Sequence, residues 1–170
     1  MAEVEVFTPT GVLAGLTAGA PLTHSGPDLT SALKVREGRW FPLDGGTPSD
    51  QHELQVAPDD ILIIATPPES ILVHMTWFAV TLDLGPYRLT GELATHPGFD
   101  PERALARPSG IFVPIREARI ELVDESGAGA ADRAHVHVNR YAVERVVSTL
   151  MLGHYFPGAQ LLTPATVAAG

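Results

Sequence analysis

The apolar positions of this chain fall in short runs, and two of the runs share one spacing. Val56, Ile61 and Ile64 stand as apolar-x4-apolar-x2-apolar, and Val138, Val143 and Val146 repeat it. Upstream, Leu13 and Gly15 match Leu89 and Gly91. Short apolar runs bounded by Gly, Pro, Asn and Asp predict strands joined by turns. Between the matched parts, residues 23–43 (THSGPDLTSALKVREGRWFPL) align without a gap on 95–115 (THPGFDPERALARPSGIFVPI). Thr23/Thr95, His24/His96, Gly26/Gly98, Asp28/Asp100, Ala32/Ala104, Leu33/Leu105, Gly38/Gly110 and Pro42/Pro114 are eight identities in 21 positions. Unrelated segments would share about one or two, so the pattern predicts a duplicated unit.

Each copy predicts the same series of elements. A first strand leads to a Gly-containing second strand, a Thr-His-x-Gly-x-Asp turn and a short helical turn. A strand around Phe-Pro-Leu or Val-Pro-Ile follows, then a variable loop and two short strands. Asp28 and Asp100 suit helix N-caps, and Pro101 suits the first helical position. The variable loops are Asp44–His52 and Asp124–Arg133, and the tightest turns are Ala57–Asp60 and Asn139–Ala142. The connector Thr66-Pro67-Pro68-Glu69 is stiff. Ser70–Leu82 carries no charge and is apolar on both faces, which predicts a strand buried on both sides. About five short strands in a unit of this size predict a small closed barrel, since closure removes sheet edges. The fold expected is therefore mainly β, two tandem small (SH3/Sm-like) barrels related by internal duplication, with short helical turns. The units are 1–66 and 67–147, followed by a tail at 148–170.

These motifs resemble the Sm-like small-barrel superfamily. Val80-x-Leu82-x-Leu84-Gly85, Gly91-x-Leu93, Asp100 and Leu105 are similar to its first motif. Val138-Asn139-Arg140-Tyr141-Ala142-Val143-Glu144-Arg145-Val146 has the spacing of its second, as does Val56–Ile64. The resemblance covers about 4–66 and 71–147 and implies the barrel fold. It does not imply the family's RNA pocket. Neither Asp28 nor Asp100 is followed shortly by Asn, and the second loop reads Ala57-Pro58 or Asn139-Arg140 where the family has Arg-Gly.

Charge points the same way. The chain has 170 residues and a formal net charge of −9, with ten Arg, one Lys and no basic cluster, so nucleic acid is not an expected partner. Cysteine is absent, which excludes disulfides, thiolate metal sites and a Cys nucleophile. The acidic start MAEVEVFTPTG does not read as a secretory signal, and no run reaches the ~18 apolar residues of a membrane span. A cytoplasmic place is expected, with peripheral association to a membrane complex from the cytoplasmic side as its extension.

Candidate chemistry is sparse. His24 and His96 occupy matching places and can converge as a ligand pair, although Thr-His-x-Gly-x-Asp reads first as turn chemistry. His135 and His137 alternate on one strand face, with His154 a nominal third ligand, but two histidines on a wet face are the commoner arrangement. No nucleophile elbow or phosphate-binding glycine motif occurs. Asp59-Asp60 and Asp124-Glu125 read as solvated turns, and Trp40, Phe41, Trp77 and Phe78 as core. No cofactor, metal or catalysis is expected. The tail is the exception to a bland reading. Residues 146–170 contain no Asp, Glu, Lys or Arg, yet carry Leu150, Met151, Leu152, Tyr155, Phe156, Leu161 and Leu162. Burying one such side chain contributes about 1.5–3 kcal/mol, so the tail is expected to lie against protein. The favoured surface is a partner's, because each unit has strands enough to close its own barrel. The function expected is a non-catalytic scaffold that binds a protein partner in a larger assembly. A small-ligand or RNA sensor using the barrel loops is the alternative.

Overall fold

The computed structural model of the chain describes residues 1–18, 32–67, 75–95, 100, 102, 110–125 and 129–169. Strands β1 (Ala2–Phe7), β2 (Gly11–Thr17), β3 (Leu33–Pro42) and β4 (Ser49–Val56) form an antiparallel meander. A 3-10 turn at Pro58–Asp60 then redirects the chain, and β5 (Ile63–Ala65) returns to pair with β1. The series recurs. β6 (Thr76–Leu84), β7 (Tyr87–Thr95), β8 (Phe112–Leu122) and β9 (Ala131–Asn139) form a second meander, and β10 (Arg145–Val147) returns to β6. β11 (Gln160–Leu162) pairs in parallel with β10, and a short helix α1 (Pro164–Ala169) follows. The fold is mainly β, and no described helix is long and apolar enough to cross a membrane.

The eleven strands among the described residues belong to one sheet, in the order β11-β10-β6-β7-β8-β9-β5-β1-β2-β3-β4. Two separately closed barrels were expected; the ladders instead run open from end to end. The physical reason lies at β5. Its second edge pairs antiparallel with β9, so it joins the two halves and is not available to β4.

The halves share their registers as well as their order. Val4 opposes Gly15 as Val80 opposes Gly91, Val6 opposes Ile64 as Leu82 opposes Val146, and Val35 opposes Leu54 as Ile115 opposes Val136. The ladder shifts at one matching point in each half, where Gly15 faces Glu37 and Gly38, and Gly91 faces Glu117 and Ala118. Glu37 (φ 48°) and Glu117 (φ 50°) take up the extra residue in the left-handed region, as a β-bulge requires. The glycines are needed for close approach. A Cβ on Gly15 would lie 2.6 Å from Val35 Cγ1 and 2.8 Å from the Arg36 carbonyl oxygen. One on Gly91 would meet Ile115 Cγ2 and the Arg116 oxygen at the same two distances.

This register corrects part of the sequence alignment. Leu13/Leu89, Gly15/Gly91 and the two apolar-x4-apolar-x2-apolar triplets stand at matching places, and the turns at 57–60 and 139–142 are formed. Pro42 and Pro114 do not match. Pro42 opposes Gly11 at the end of β3, whereas Pro114 opposes His137 near the start of β8. Gly38 lies inside β3, and Gly110 precedes β8. The true counterparts are Val35-Arg36-Glu37-Gly38-Arg39 and Ile115-Arg116-Glu117-Ala118-Arg119. Gly91 to Ile115 is 24 residues and Gly15 to Val35 is 20, and a gapless alignment cannot carry the four extra.

Two further expectations change. Ser49–His52 and Ala131–Arg133 belong to strands, so both variable loops are shorter than their polarity implied. β6 buries one face only, through Val80, Leu82 and Leu84. Its Trp77 is half-buried because the Arg116 guanidinium covers the ring at 3.9 Å, a cation–π contact on the outer face.

The core forms two clusters that exchange residues across the joint. Val4, Val6, Leu13, Val35, Val56, Ile61 and Ile64 pack in the first half and receive Phe112 from the second. Leu82, Leu89, Leu93, Ile115, Val136, Val138 and Val146 pack in the second half and receive Phe7, Leu62, Ile63 and Ala65 from the first. Polar contacts reinforce this seam. The Tyr87 hydroxyl donates to the Thr8 carbonyl at 2.7 Å, and Asn139 Nδ2 to the Ile61 carbonyl at 3.1 Å. Arg133 forms a bidentate pair with Glu5 across β5.

Candidate functional site

The tail lies on its own chain. Leu152 and Phe156 are fully buried and Tyr155 nearly so, all within the second-half core. Leu150 and Leu161 pack half-buried on that cluster, Leu162 is half-buried, and Met151 stays 54% exposed. The sequence dictates how. Gly153, Pro157 and Gly158 prevent a long helix, so a tight turn forms in which Tyr155 and Phe156 donate to the Leu152 carbonyl at 3.0 and 3.1 Å. Gln160 then donates to the Glu144 carbonyl at 2.8 Å, starting β11 on the edge of β10. Leu152, Tyr155 and Phe156 are thus occupied within the chain, and of the seven tail residues Met151 is the most accessible.

Arg140 holds this turn in place, a role that sequence reasoning missed. Its side chain is buried, at 5% exposure, and Nε donates to the Gly110 carbonyl at 2.6 Å. One terminal nitrogen donates to the His154 and Tyr155 carbonyls, and the other to the Tyr141 hydroxyl at 2.7 Å. Among the described residues, four oxygens without formal charge therefore accept from this buried charged group. Arg140 stands beside the turn that the Sm-like spacing marked, and its partners are the chain's own backbone and Tyr141.

His137 is the most unusual titratable group described. It is 2% exposed, and neither ring nitrogen has a hydrogen-bond partner. It sits at the seam, opposite Ile64 of β5 and Pro114 of β8. Burial, with His135 adding to it, pulls its pKa down to about 3, so it is neutral at ordinary pH. His135 lies on the same face with its ring centroid 4.7 Å away, as the alternation required. The face is not wet at His137, contrary to the ordinary pattern, because β5 and its neighbours cover it. No signal short of the strand order could have revealed this.

The remaining candidates are dispersed. His24 and His96 lie outside the described residues. Asp100 accepts from the Glu102 amide at 3.0 Å, a turn contact of the kind expected. Asp59 and Asp60 are exposed on the 3-10 turn. Trp40 packs against the first-half core, whereas Phe41 is 40% exposed with the Arg39 guanidinium 5.8 Å from its ring. Among the described residues no group of three His, Asp or Glu side chains is gathered to hold a metal ion.

Among the described residues the sheet ends on two open backbone edges, that of the three-residue β11 and the longer one of β4. Among the described residues, no strand pairs with the outer edge of β4, which runs for eight residues at the end of the sheet. No family model, curated protein or solved structure matches the chain.

Proposed function

We propose that the chain is a non-catalytic scaffold built from two duplicated Sm-like β units joined in one open sheet, and that it binds a protein partner as a peripheral subunit of a larger assembly. The open eight-residue edge of β4 carries this reading. Among the described residues, Arg140, His137 and Tyr87 are buried and serve the packing of this chain. The recurrent registers and the two core clusters support duplication of a five-strand unit. The acidic balance and the Ala57-Pro58 and Asn139-Arg140 turns weigh against RNA at the loops. Purification of the tagged full-length chain from its source cells, at physiological salt, tests the reading. A protein companion in stoichiometric amount is expected. Repeated recovery of the chain alone, with and without crosslinking, would overturn it.

A further inference from the structure

We propose that the outer edge of β4 is the partner's seat, taking an extended segment of another protein as an added antiparallel strand. The segment is neutral, apolar at alternate positions, and lies on β4 in the register that β5 has on β9. The proposal rests on the partner-binding reading above and adds where the partner binds and what it must look like.

The chain contains its own template. By the shared registers, β9 is to the second half what β4 is to the first, with Val136, His137 and Val138 standing where Leu54, Gln55 and Val56 stand. On β9 the position is filled, with Ile63 opposite Val138, Ile64 opposite His137 and Ala65 opposite Val136. The effect on burial is plain. Val136, His137, Val138 and Asn139 are all buried, whereas of their counterparts only Val56 is buried, Leu54 is half-buried and Gln55 and Ala57 are exposed. Leu33, opposite Val56, is also only partly covered by the first-half core.

The backbone is oriented for addition. The Asn139 amide donates to the Leu62 carbonyl on the β5 side, and the Arg140 amide to the Ile111 carbonyl on the β8 side. Amides alternate along an antiparallel strand, so those of His137 and Asn139 face β5. Their counterparts on β4 include Gln55, and two residues earlier Glu53. Both amides point off the sheet. Glu53 is paired with Arg36 at 3.2 Å and Asp50 with Arg39 at 4.0 Å, Lys34 opposite Gln55 is exposed, and the neutrality of the segment follows from its template, since β5 (Ile63–Ala65) carries no charge.

A second copy of this chain does not fit the seat. The counterpart of β5 is β10, whose outer edge is held by β11. Arg145 of β10 stands where β5 has Ile63, and it approaches Asp83 at 3.9 Å. Turned into another first-half core, it would bring a charge into an apolar site. Because the amides of residues 53 and 55 point outward, a second β4 can pair near the centre of this one only in registers that set Asp50 against Leu54 or Glu53 against Glu53, a charge on the apolar position or two like charges.

The probe is a synthetic peptide of residues 60–66, DILIIAT, with a lysine added at each end, offered to the full-length protein. Residue-resolved amide exchange is the readout. The amides of Glu53 and Gln55 should slow about tenfold when the peptide is present at ten times its Kd. Gln55→Pro removes one outward amide and leaves the ladder to β3, so binding read at Glu53 should weaken about fivefold or more, with the melting temperature held. Leu54→Lys keeps every amide, charges the contact face, and should weaken binding likewise. Unchanged exchange at Glu53 and Gln55 with millimolar peptide would overturn the proposal. So would a native companion recovered equally by the wild type and both variants, although partner binding itself would then stand. Peptide binding without any companion would uphold the seat and overturn the subunit reading.

Discussion

Acid should destabilise this protein through His137, by an amount that can be worked out. The folded chain holds the ring neutral, with its pKa pulled down to about 3 by burial. The unfolded chain takes up a proton near the ordinary value of about 6.5. Between these values the unfolded state binds more protons, so stability falls as pH falls. At pH 7 the unfolded ring is mostly neutral, and the linkage term is about 0.2 kcal/mol. At pH 5 it reaches about 2 kcal/mol, a figure insensitive to the folded value because that value lies well below 5. His135, 4.7 Å away, acts in the same direction once charged, since a cation beside His137 further disfavours its protonation. The chain has seven histidines, so the test is a double difference. Urea unfolding of the wild type and of His137→Leu is followed by tryptophan fluorescence at pH 7 and pH 5. The wild type should lose about 2 kcal/mol more than the variant over that interval. At pH 7 the variant should be as stable or more so, because neither ring nitrogen gives up a hydrogen bond. Equal acid sensitivity in the two proteins would refute the reasoning and place a proton acceptor or donor at the ring.

Gly15→Ala and Gly91→Ala should each cost about 3 kcal/mol in chemical denaturation, since the new methyl meets a carbonyl oxygen at 2.8 Å that belongs to the backbone. Glu37→Gly and Glu117→Gly should each raise stability by about 0.5–1 kcal/mol, the left-handed penalty relieved less the entropy of a freer unfolded chain. Phe156→Ala should cost about 3–5 kcal/mol, because the ring is fully buried in the second-half core; a tail that left stability unchanged would contradict its docking in cis. Arg140→Met should cost at least about 3 kcal/mol and speed amide exchange at Tyr155 and Phe156, as the carbonyls of Gly110, His154 and Tyr155 lose their donor.

Local patterning alone carries much of this molecule. Alternation and turn residues mark the strands, and two of the matched features, Leu13-x-Gly15 with Leu89-x-Gly91 and the apolar-x4-apolar-x2-apolar triplets, fall at matching ladder positions. They could be read because each depends on neighbours within one hairpin or one turn, where spacing along the chain is spacing in the sheet. The apolar side chains in the uncharged residues 146–170 pointed to burial, which holds for Leu152, Tyr155 and Phe156, whereas residues 163–167 are exposed. What lay beyond local pattern was set by contacts between distant segments. The edge of β5 pairs with β9, 71 to 75 positions further along by register (Ile63 with Val138, Ile64 with His137, Ala65 with Val136), and this one pairing keeps the sheet open. It also buries His137, whose strand reads as half-wet, and sets β4 apart from β9 although both are fourth strands. The four residues by which the second half is longer between Gly91 and Ile115 shift Pro114 away from Pro42, a displacement invisible to a gapless comparison. The tail joined its own core because the second half receives Leu152 and Phe156 in a turn that Arg140 clamps from the far side. Burial of apolar surface is non-directional, so a sequence declares that such a segment must be covered, and the three-dimensional arrangement of its neighbours selects by what.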